Sequence, residues 1–357
     1  MEAMLTVHLA NHQYDILINQ GALQQTGKWL ETIWKPQKVA VITDSNVAPL
    51  YAETVMQQVE KSGFQPVLTV VPAGEKSKSL DQAALLYDFL AENGFTRSDG
   101  VLALGGGVVG DLAAFVASTF MRGIHFVQIP TTLLAQVDSS IGGKTAVNTA
   151  NAKNLVGTFS QPDAVLIDPL VLKTLEPRRV REGIAEIIKS AAIADIDLWQ
   201  LLSSLKDEAD LLAHAEAIIT ATLKIKRKVV EEDEFDQGNR LILNFGHTIG
   251  HAIEKTAGYG IVSHGEGVAI GMVAINRHAE SIGLSPSGST QQLITMIQKF
   301  HLPIHYDNWQ TDHLYHAITH DKKARGNQLK IILLEKIGEA KIHPIPIADI
   351  KEYLGGN

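Results

Sequence analysis

A chain of 357 residues has room for about two domains and a large buried core. With 45% apolar residues, 20% charged residues and a formal net charge of −8, it reads as an ordinary globular protein rather than a general nucleic-acid binder, although a local cluster of cations could still hold a small anion. The absence of cysteine excludes disulfides and thiolate metal sites. It is compatible with the cytoplasm, and neither a signal peptide nor an apolar run of ~18 residues is visible, so no membrane association is expected.

In chain order, "LTVHLANHQYDILI" (5–18) predicts an antiparallel hairpin along a sheet edge. The β-branched run "KVAVITD" (38–44) predicts a buried strand, followed by a helix from about Ala48 to Lys61. A strand over 66–74 and a helix over 79–94, ending on Gly94, come next. "DGVLALGGG" (99–107) is a third strand running into glycines, with a helix from about Val108, and strands follow at 125–132 and 164–169. Strand and helix in alternation predict βαβ units and a mostly parallel sheet, an α/β domain over residues 1–176. The remainder, 177–357, reads as mainly helical, with one late hairpin over 329–345 turning near Gly338.

"LALGGGVVGDLAAF" (102–115) carries G-x-G-x-x-G as Gly105, Gly107 and Gly110, between a predicted strand and a predicted helix. Such glycines admit a pyrophosphate close to the backbone, and the helix N-terminus favours its charge. The pattern sits in the third βα unit rather than the first, and residues 125–130 hold no acid for a ribose; Asp44, at the end of the first strand, could take that place. A tight strand-to-helix turn without a ligand would show the same glycines. "PAGEKSK" (72–78) ends the neighbouring strand with small and polar residues, which favours a nucleotide beyond the strand ends.

"IPTTLLAQVDSSIGGKTAVNTANAKNLVG" (129–157) is long for a connection and rich in hydroxyls, amides and glycines. Its lysines suit a phosphate or carboxylate, though any single lysine is more often a solvated surface group. In the helical half, "NFGHTIGHAIE" (244–254) puts His247 and His251 on one helix face, and Thr248 stands where a zinc protease would need its glutamate. His264 follows in "SHGEG". In "REGIAEIIKSAA" (181–192), Glu186 and Lys189 share a face of an apolar helix, where an unpaired charge would be costly. Two histidines and a carboxylate with an open position make a catalytic zinc set. The chain has 14 histidines, so spacing alone leaves coincidence open.

The blocks "GGGVVGDLAAFVASTFMRG", "IPTTLLAQVDSSIGGKTAVN", "GIAEIIK", "NFGHTIGHAIE" and "HGEGVAIGM", in this order, resemble the 3-dehydroquinate synthase family of sugar-phosphate cyclases. The likeness runs from about Val39 to about Gly338. It implies a Rossmann-like NAD-binding domain over 1–176 and a mainly helical metal- and substrate-binding domain over 177–357. The implied reaction converts 3-deoxy-D-arabino-heptulosonate 7-phosphate to 3-dehydroquinate and phosphate. A secondary alcohol is transiently oxidised by NAD+, phosphate is eliminated, the ketone is reduced again, and the opened ring closes by an aldol step. Oxidation of the neighbouring carbinol to a ketone acidifies the proton that must leave, and because the hydride is later returned no net redox occurs.

The resemblance also assigns roles. Glu186, His247 and His264 match ligands of one divalent metal, Zn2+ or Co2+. His251 matches a group that handles protons at the ring-opening hydroxyl. Lys144, Asn154, Lys226, Arg240 and Asn244 match residues holding phosphate and carboxylate, and Lys153 and Lys189 match further active-site lysines. Asp138 matches a residue between cofactor and substrate. Lys330 is one match among several lysines in "DKKARGNQLK". Arg122 matches a residue lent by the second subunit of a homodimer. For NAD+, the matches are Asp44, Ala73, Gly74, Glu75, Lys76, Ser77, Lys78, Gly106, Gly107, Val108, Val109, Gly110, Asp111, Thr131, Thr132, Lys144, Lys153, Val171, Leu172, Lys173 and Thr174. Rival readings are another sugar-phosphate cyclase, a metal-dependent polyol dehydrogenase with net NADH formation, and an inactive binding subunit, which the intact ligand set argues against.

Overall fold

A computed structural model of the chain describes residues 5–150, 152–258, 260–320 and 327–355. The chain divides into two compact units, Met1–Leu175 and Glu176–Asn357.

In the first unit, strands β1 (Leu5–His8) and β2 (Gln13–Ile18) form the expected antiparallel edge hairpin. Helix α1 (Thr26–Glu31) leads to β3 (Lys38–Asp44), α2 (Glu53–Lys61), β4 (Gln65–Val71) and α3 (Leu80–Glu92). Then come β5 (Gly100–Gly105), α4 (Gly107–Thr119), β6 (His125–Pro130) and β7 (Ala164–Ile167). The sheet order is β1-β2-β7-β6-β5-β3-β4, parallel except for β1. Alternation along the strands sorts the core into two faces. Ala40, Ile42, Val101 and Ala103 pack with Leu86, Leu90 and Leu112 of α3 and α4. Val39, Val41, Leu102 and Leu104 pack with Trp29, Leu30, Val55 and Val59 of α1 and α2. Helices cover both faces, as a parallel sheet requires.

Several strands stop short of their expected ends. β4 ends at Val71 and not at residue 74, because the chain leaves the sheet where Ala73 N donates to Ser45 Oγ at 3.1 Å. β5 ends at Gly105, since Gly106 is already the N-cap of α4, which starts at Gly107 rather than Val108. β6 and β7 end at Pro130 and Ile167, two residues early in each case, where Thr131 N turns back to Gly105 O and Asp168 caps the turn Pro169–Thr174.

The second unit begins with α5 (Pro177–Ala194), α6 (Ile196–Ser204), α7 (Glu208–Ala213) and α8 (Ala215–Glu232). A 3-10 segment, Asn239–Asn244, precedes α9 (His247–Ala257), α10 (His264–Ser281), α11 (Ser289–Lys299) and α12 (Thr311–His320). The expected late hairpin is present as β8 (Gln328–Lys336) and β9 (Glu339–Pro346), turning through Gly338 at φ 89°, and α13 (Ile350–Tyr353) ends the described chain. Helix α10 is the centre of this unit, with Val268–Asn276 continuously buried, and it packs against α5, α9 and α11. None of the described helices is long and apolar enough to cross a membrane.

Candidate functional site

In the first unit, strand order marks where a ligand would bind. From β3 the chain steps outward to β4, then crosses back to β5 on the other side and continues to β6 and β7. The reversal lies between β3 and β5, and open parallel sheets bind ligands beyond the carboxyl ends at such a point. Those two ends carry Asp44 and the glycine loop. The loop lies in the third βα unit, yet it sits at the switch point all the same.

The loop's glycines are demanded by packing. A Cβ on Gly105 would lie 2.6 Å from Val109 Cβ, one on Gly106 2.9 Å from Thr132 Cγ2, and one on Gly107 2.9 Å from Ser139 Oγ. Helix α4 therefore starts hard against the strand end. No side chain caps it and no acid occupies its first turn, so its leading N–H groups suit an anion. Asp44 Oδ1 accepts Asn46 N and Val47 N at 2.8 and 3.0 Å, which fixes the carboxylate at the strand end. Thr174 Oγ1 lies 2.6 Å from Tyr51 Oη, tying the 169–174 turn to the segment after β3.

Two of the residues matched to the cofactor engage each other. Lys78, only 5% exposed, pairs with Asp111 Oδ2 at 2.6 Å, which ties the loop after β4 to α4. Glu75 accepts Asn148 Nδ2 at 2.7 Å and so ties that loop to the long polar segment. Within the segment Asp138 lies in a turn over Ala135–Ser139, while Lys144, Lys153 and Asn154 are exposed. Asn154 adopts φ 54°, held by Asn148 Oδ1, which accepts its backbone N–H at 2.9 Å. Met121 and Arg122 are consecutive positive-φ residues at 50° and 71°, and Arg122 is exposed.

The second unit builds the metal candidate from three helices. Glu186 lies inside α5, His247 opens α9 and His264 opens α10. Close helix contact brings them together: Gly246 turns into α9 at φ 80°, and a Cβ on Gly271 of α10 would lie 2.0 Å from Gly246 O. Ser263 and Glu266 form a reciprocal cap at the start of α10, which holds His264 in place. Single ligand atoms of Glu186, His247 and His264 all lie within 4.8 Å of one another. Glu186 Oε1 is 3.4 Å from His247 Nε2 and 3.2 Å from His264 Nε2.

The outer ring nitrogens are engaged elsewhere. His247 Nδ1 lies 3.2 Å from Phe245 O, and His264 Nδ1 lies 3.1 Å from Glu254 Oε1. Both are acceptors, so each ring can donate its Nδ1–H outward, and in that tautomer Nε2 is left to bind a metal. Glu186 is 1% exposed, and its Oε2 faces Lys189, itself 2% exposed, as an ion pair without a directed hydrogen bond. A buried carboxylate and two oriented imidazoles are the donors that a zinc ion or its relatives take, so the residues fit the metal.

The electrostatics point the same way. Burial alone would raise Glu186, but the Lys189 ammonium, then His247 and His264, hold it well below the usual carboxylate range. Burial dominates at His247 and holds it down at about 3. At His264 burial is overridden by hydrogen bonds and charge from Glu186 and Glu254, which raise it to about 10. Without metal, His264 is thus a cation at neutral pH, sitting where the metal's charge would be. Zinc binding at pH 7 is therefore expected to release about one proton, and affinity to rise about tenfold per pH unit from ~7 to ~9. Since the folded value lies above the unfolded ~6.5, the His264 contribution to metal-free stability is full below pH ~6.5 and lost as pH rises toward 10. Calorimetry in buffers of different ionisation enthalpy measures the released proton, and zero release would contradict the assignment.

His251 is exposed on the same face of α9, with its ring 5.3 Å from that of His247 and 5.7 Å from that of His264. His251, Glu254 and His264 form a second group of donor atoms within 4.8 Å. The sequence signal for Glu254 is its place seven residues after His247, on the same helix face. Lys226 and Arg240 are buried at 7% and 3% exposure. The Asn239–Asn244 segment, with Arg240 and Asn244, packs against α5, α8, β8 and β9. Asp233 anchors that segment by accepting Gly238 N and Arg240 N at 2.7 and 3.0 Å. Lys330 is exposed on β8, and the other lysines of its stretch, Lys322 and Lys323, fall outside the described residues.

A family model for the N-terminal part of 3-dehydroquinate synthase matches residues 68–182, and one for the C-terminal part matches residues 183–324. A 3-dehydroquinate synthase from Enterococcus faecalis is 67% identical over 350 residues, 98% of each chain. A solved 2-deoxy-scyllo-inosose synthase, complexed with carbaglucose-6-phosphate, NAD+ and Co2+, is 27% identical with TM-score 0.88 over 98% of each chain. A 2-epi-5-epi-valiolone synthase from Streptomyces hygroscopicus, with NAD+ and Zn2+ bound, is also 27% identical, with TM-score 0.88 over 97% of each chain.

Proposed function

The chain belongs to the 3-dehydroquinate synthase family, and from that premise we propose that it converts 3-deoxy-D-arabino-heptulosonate 7-phosphate to 3-dehydroquinate and phosphate, as a cytoplasmic homodimeric carbon–oxygen lyase. The observation that carries the reading is the Glu186–His247–His264 cluster, with both Nε2 atoms turned onto Glu186 Oε1. Identity of 67% to a synthase of this name, against 27% to two other sugar-phosphate cyclases, supports the heptulosonate over a neutral sugar phosphate.

When bound, NAD+ supplies a hydride acceptor that returns the hydride within the turnover, and the divalent metal supplies a Lewis acid for the substrate's hydroxyl oxygens. The chain's own residues do the rest. Residues 1–176 hold the dinucleotide, with the uncapped start of α4 toward the pyrophosphate and Asp44 toward a ribose. The Lys78–Asp111 pair keeps the two cofactor loops in register. Lys144, Asn154, Lys226, Arg240 and Asn244 orient phosphate and carboxylate, and charge-assisted bonds from Lys144, Lys226 and Arg240 offset the substrate's negative charge. His251, exposed beside the ligand histidines, moves a proton at the ring-opening hydroxyl. Lys189 neutralises Glu186. Arg122, exposed in its strained turn, is lent to the partner subunit.

The test is substrate discrimination. With NAD+ and zinc, the protein is expected to form 3-dehydroquinate and phosphate in equal amounts from the heptulosonate phosphate, read by NMR. Glucose 6-phosphate should give no phosphate at the same enzyme concentration. Faster phosphate release from glucose 6-phosphate would place the chain among the other cyclases.

A further inference from the structure

Neutral imidazole has one N–H, so a histidine that gives Nε2 to a metal must keep its proton on Nδ1. In His247 the Nδ1 partner is a backbone carbonyl, that of Phe245. In His264 it is a side chain: Glu254 Oε1 lies 3.1 Å from Nδ1, while Nε2 lies 3.2 Å from Glu186 Oε1 on the opposite side of the ring. His264 is also the first residue of α10, where the helix N-terminus repels a cation and attracts an anion. A carboxylate behind the ring counters that field. Glu254 reaches this point because His247, His251 and Glu254 stand at i, i+4 and i+7 along α9, and α9 packs backbone-close against α10.

We infer that Glu254 is a positioning residue: its carboxylate accepts the Nδ1–H of His264, and so fixes the tautomer and ring orientation that present Nε2 to the metal. The inference rests on the metal reading of Glu186, His247 and His264. Its rival on the same geometry is that Glu254 is itself a ligand, in the group with His251 and His264.

The experiment compares wild type, Glu254→Gln and Glu254→Ala. Zinc affinity is read by competition with a chromophoric chelator, and coordination by the visible spectrum of the Co2+-loaded protein. Loss of such a partner weakens metal binding by about 10–100-fold, and that is expected for Glu254→Ala. Glu254→Gln should fall between it and wild type, because the amide oxygen can still accept. Both variants should keep one metal per chain and the Co2+ band intensity of an unchanged ligand count. Wild-type affinity in both variants would overturn the inference. So would collapse of the Co2+ bands with a lost ligand, which would make Glu254 part of the metal's coordination. Should the alanine variant misfold, the isosteric glutamine variant decides, with an affinity equal to wild type counting against the inference. A wild-type protein that binds no metal, or a His247→Ala variant that binds as wild type does, would instead sink the metal reading beneath it.

Discussion

Replacing His247 with alanine is expected to abolish both stoichiometric zinc and phosphate release, whereas His251→Ala is expected to keep zinc and slow turnover by about 10²–10⁴-fold. The two residues sit one helical turn apart, and their ring centroids are 5.3 Å apart. Their surroundings separate them. His247 is largely buried, turns Nε2 toward Glu186 Oε1 at 3.4 Å and is held neutral by burial. His251 is exposed, as a group proposed to exchange protons with a substrate must be. Removing His247 also leaves Glu186 and a charged His264 without the cation that would organise them. Metal stoichiometry beside phosphate-release rates for both variants decides the matter. If His247→Ala kept its zinc while His251→Ala lost it, the ligands would be His251, Glu254 and His264, and the assignment would be wrong.

The second large effect concerns Lys189. Its ammonium and the Glu186 carboxylate are paired at 2% and 1% side-chain exposure. Taking away one member of such a pair leaves a buried charge, a loss of roughly 3–5 kcal/mol. Lys189→Met keeps most of the volume. Metal-free Lys189→Met is expected to lose about 3 kcal/mol, near the low end because the His264 imidazolium still faces Glu186 Oε1. Zinc should restore much of that loss, since a divalent ion replaces the missing charge beside the carboxylate. Urea unfolding of both proteins with and without zinc gives the comparison. A destabilisation of equal size in both conditions would mean that Lys189 only packs, and no destabilisation would mean that Glu186 does not need it.

Much of this architecture could be read from local pattern. "KVAVITD" is β-branched and continuously apolar, and it forms β3 over Lys38–Asp44. The alternating hairpin at the start and the late hairpin turning on Gly338 are equally local signals. Strand ends were harder, because they depend on partners far away in sequence, such as Thr131 N returning to Gly105 O. In the site, the His247–His251 spacing and the Glu186–Lys189 pair were visible as single-helix patterns. Spacing leaves the convergence of His264 on Glu186 open, since it arises from the close approach of Gly246 and Gly271, which no periodicity encodes. The Lys78–Asp111 pair spans 33 residues and two elements, so neither partner announces the other. The opposite shifts of His247 and His264 follow from what surrounds each ring, not from residue type.

The most direct measurement is phosphate release from 3-deoxy-D-arabino-heptulosonate 7-phosphate with the absorbance of NADH followed in the same cuvette, before and after a chelator. The proposed dinucleotide loop at the sheet's switch point and the proposed metal ligands Glu186, His247 and His264 predict many turnovers of phosphate per NAD+, no accumulating NADH, and loss of turnover on chelation with the fold intact by circular dichroism. One NADH gained per phosphate released, or undiminished turnover after complete removal of metal, would contradict the account.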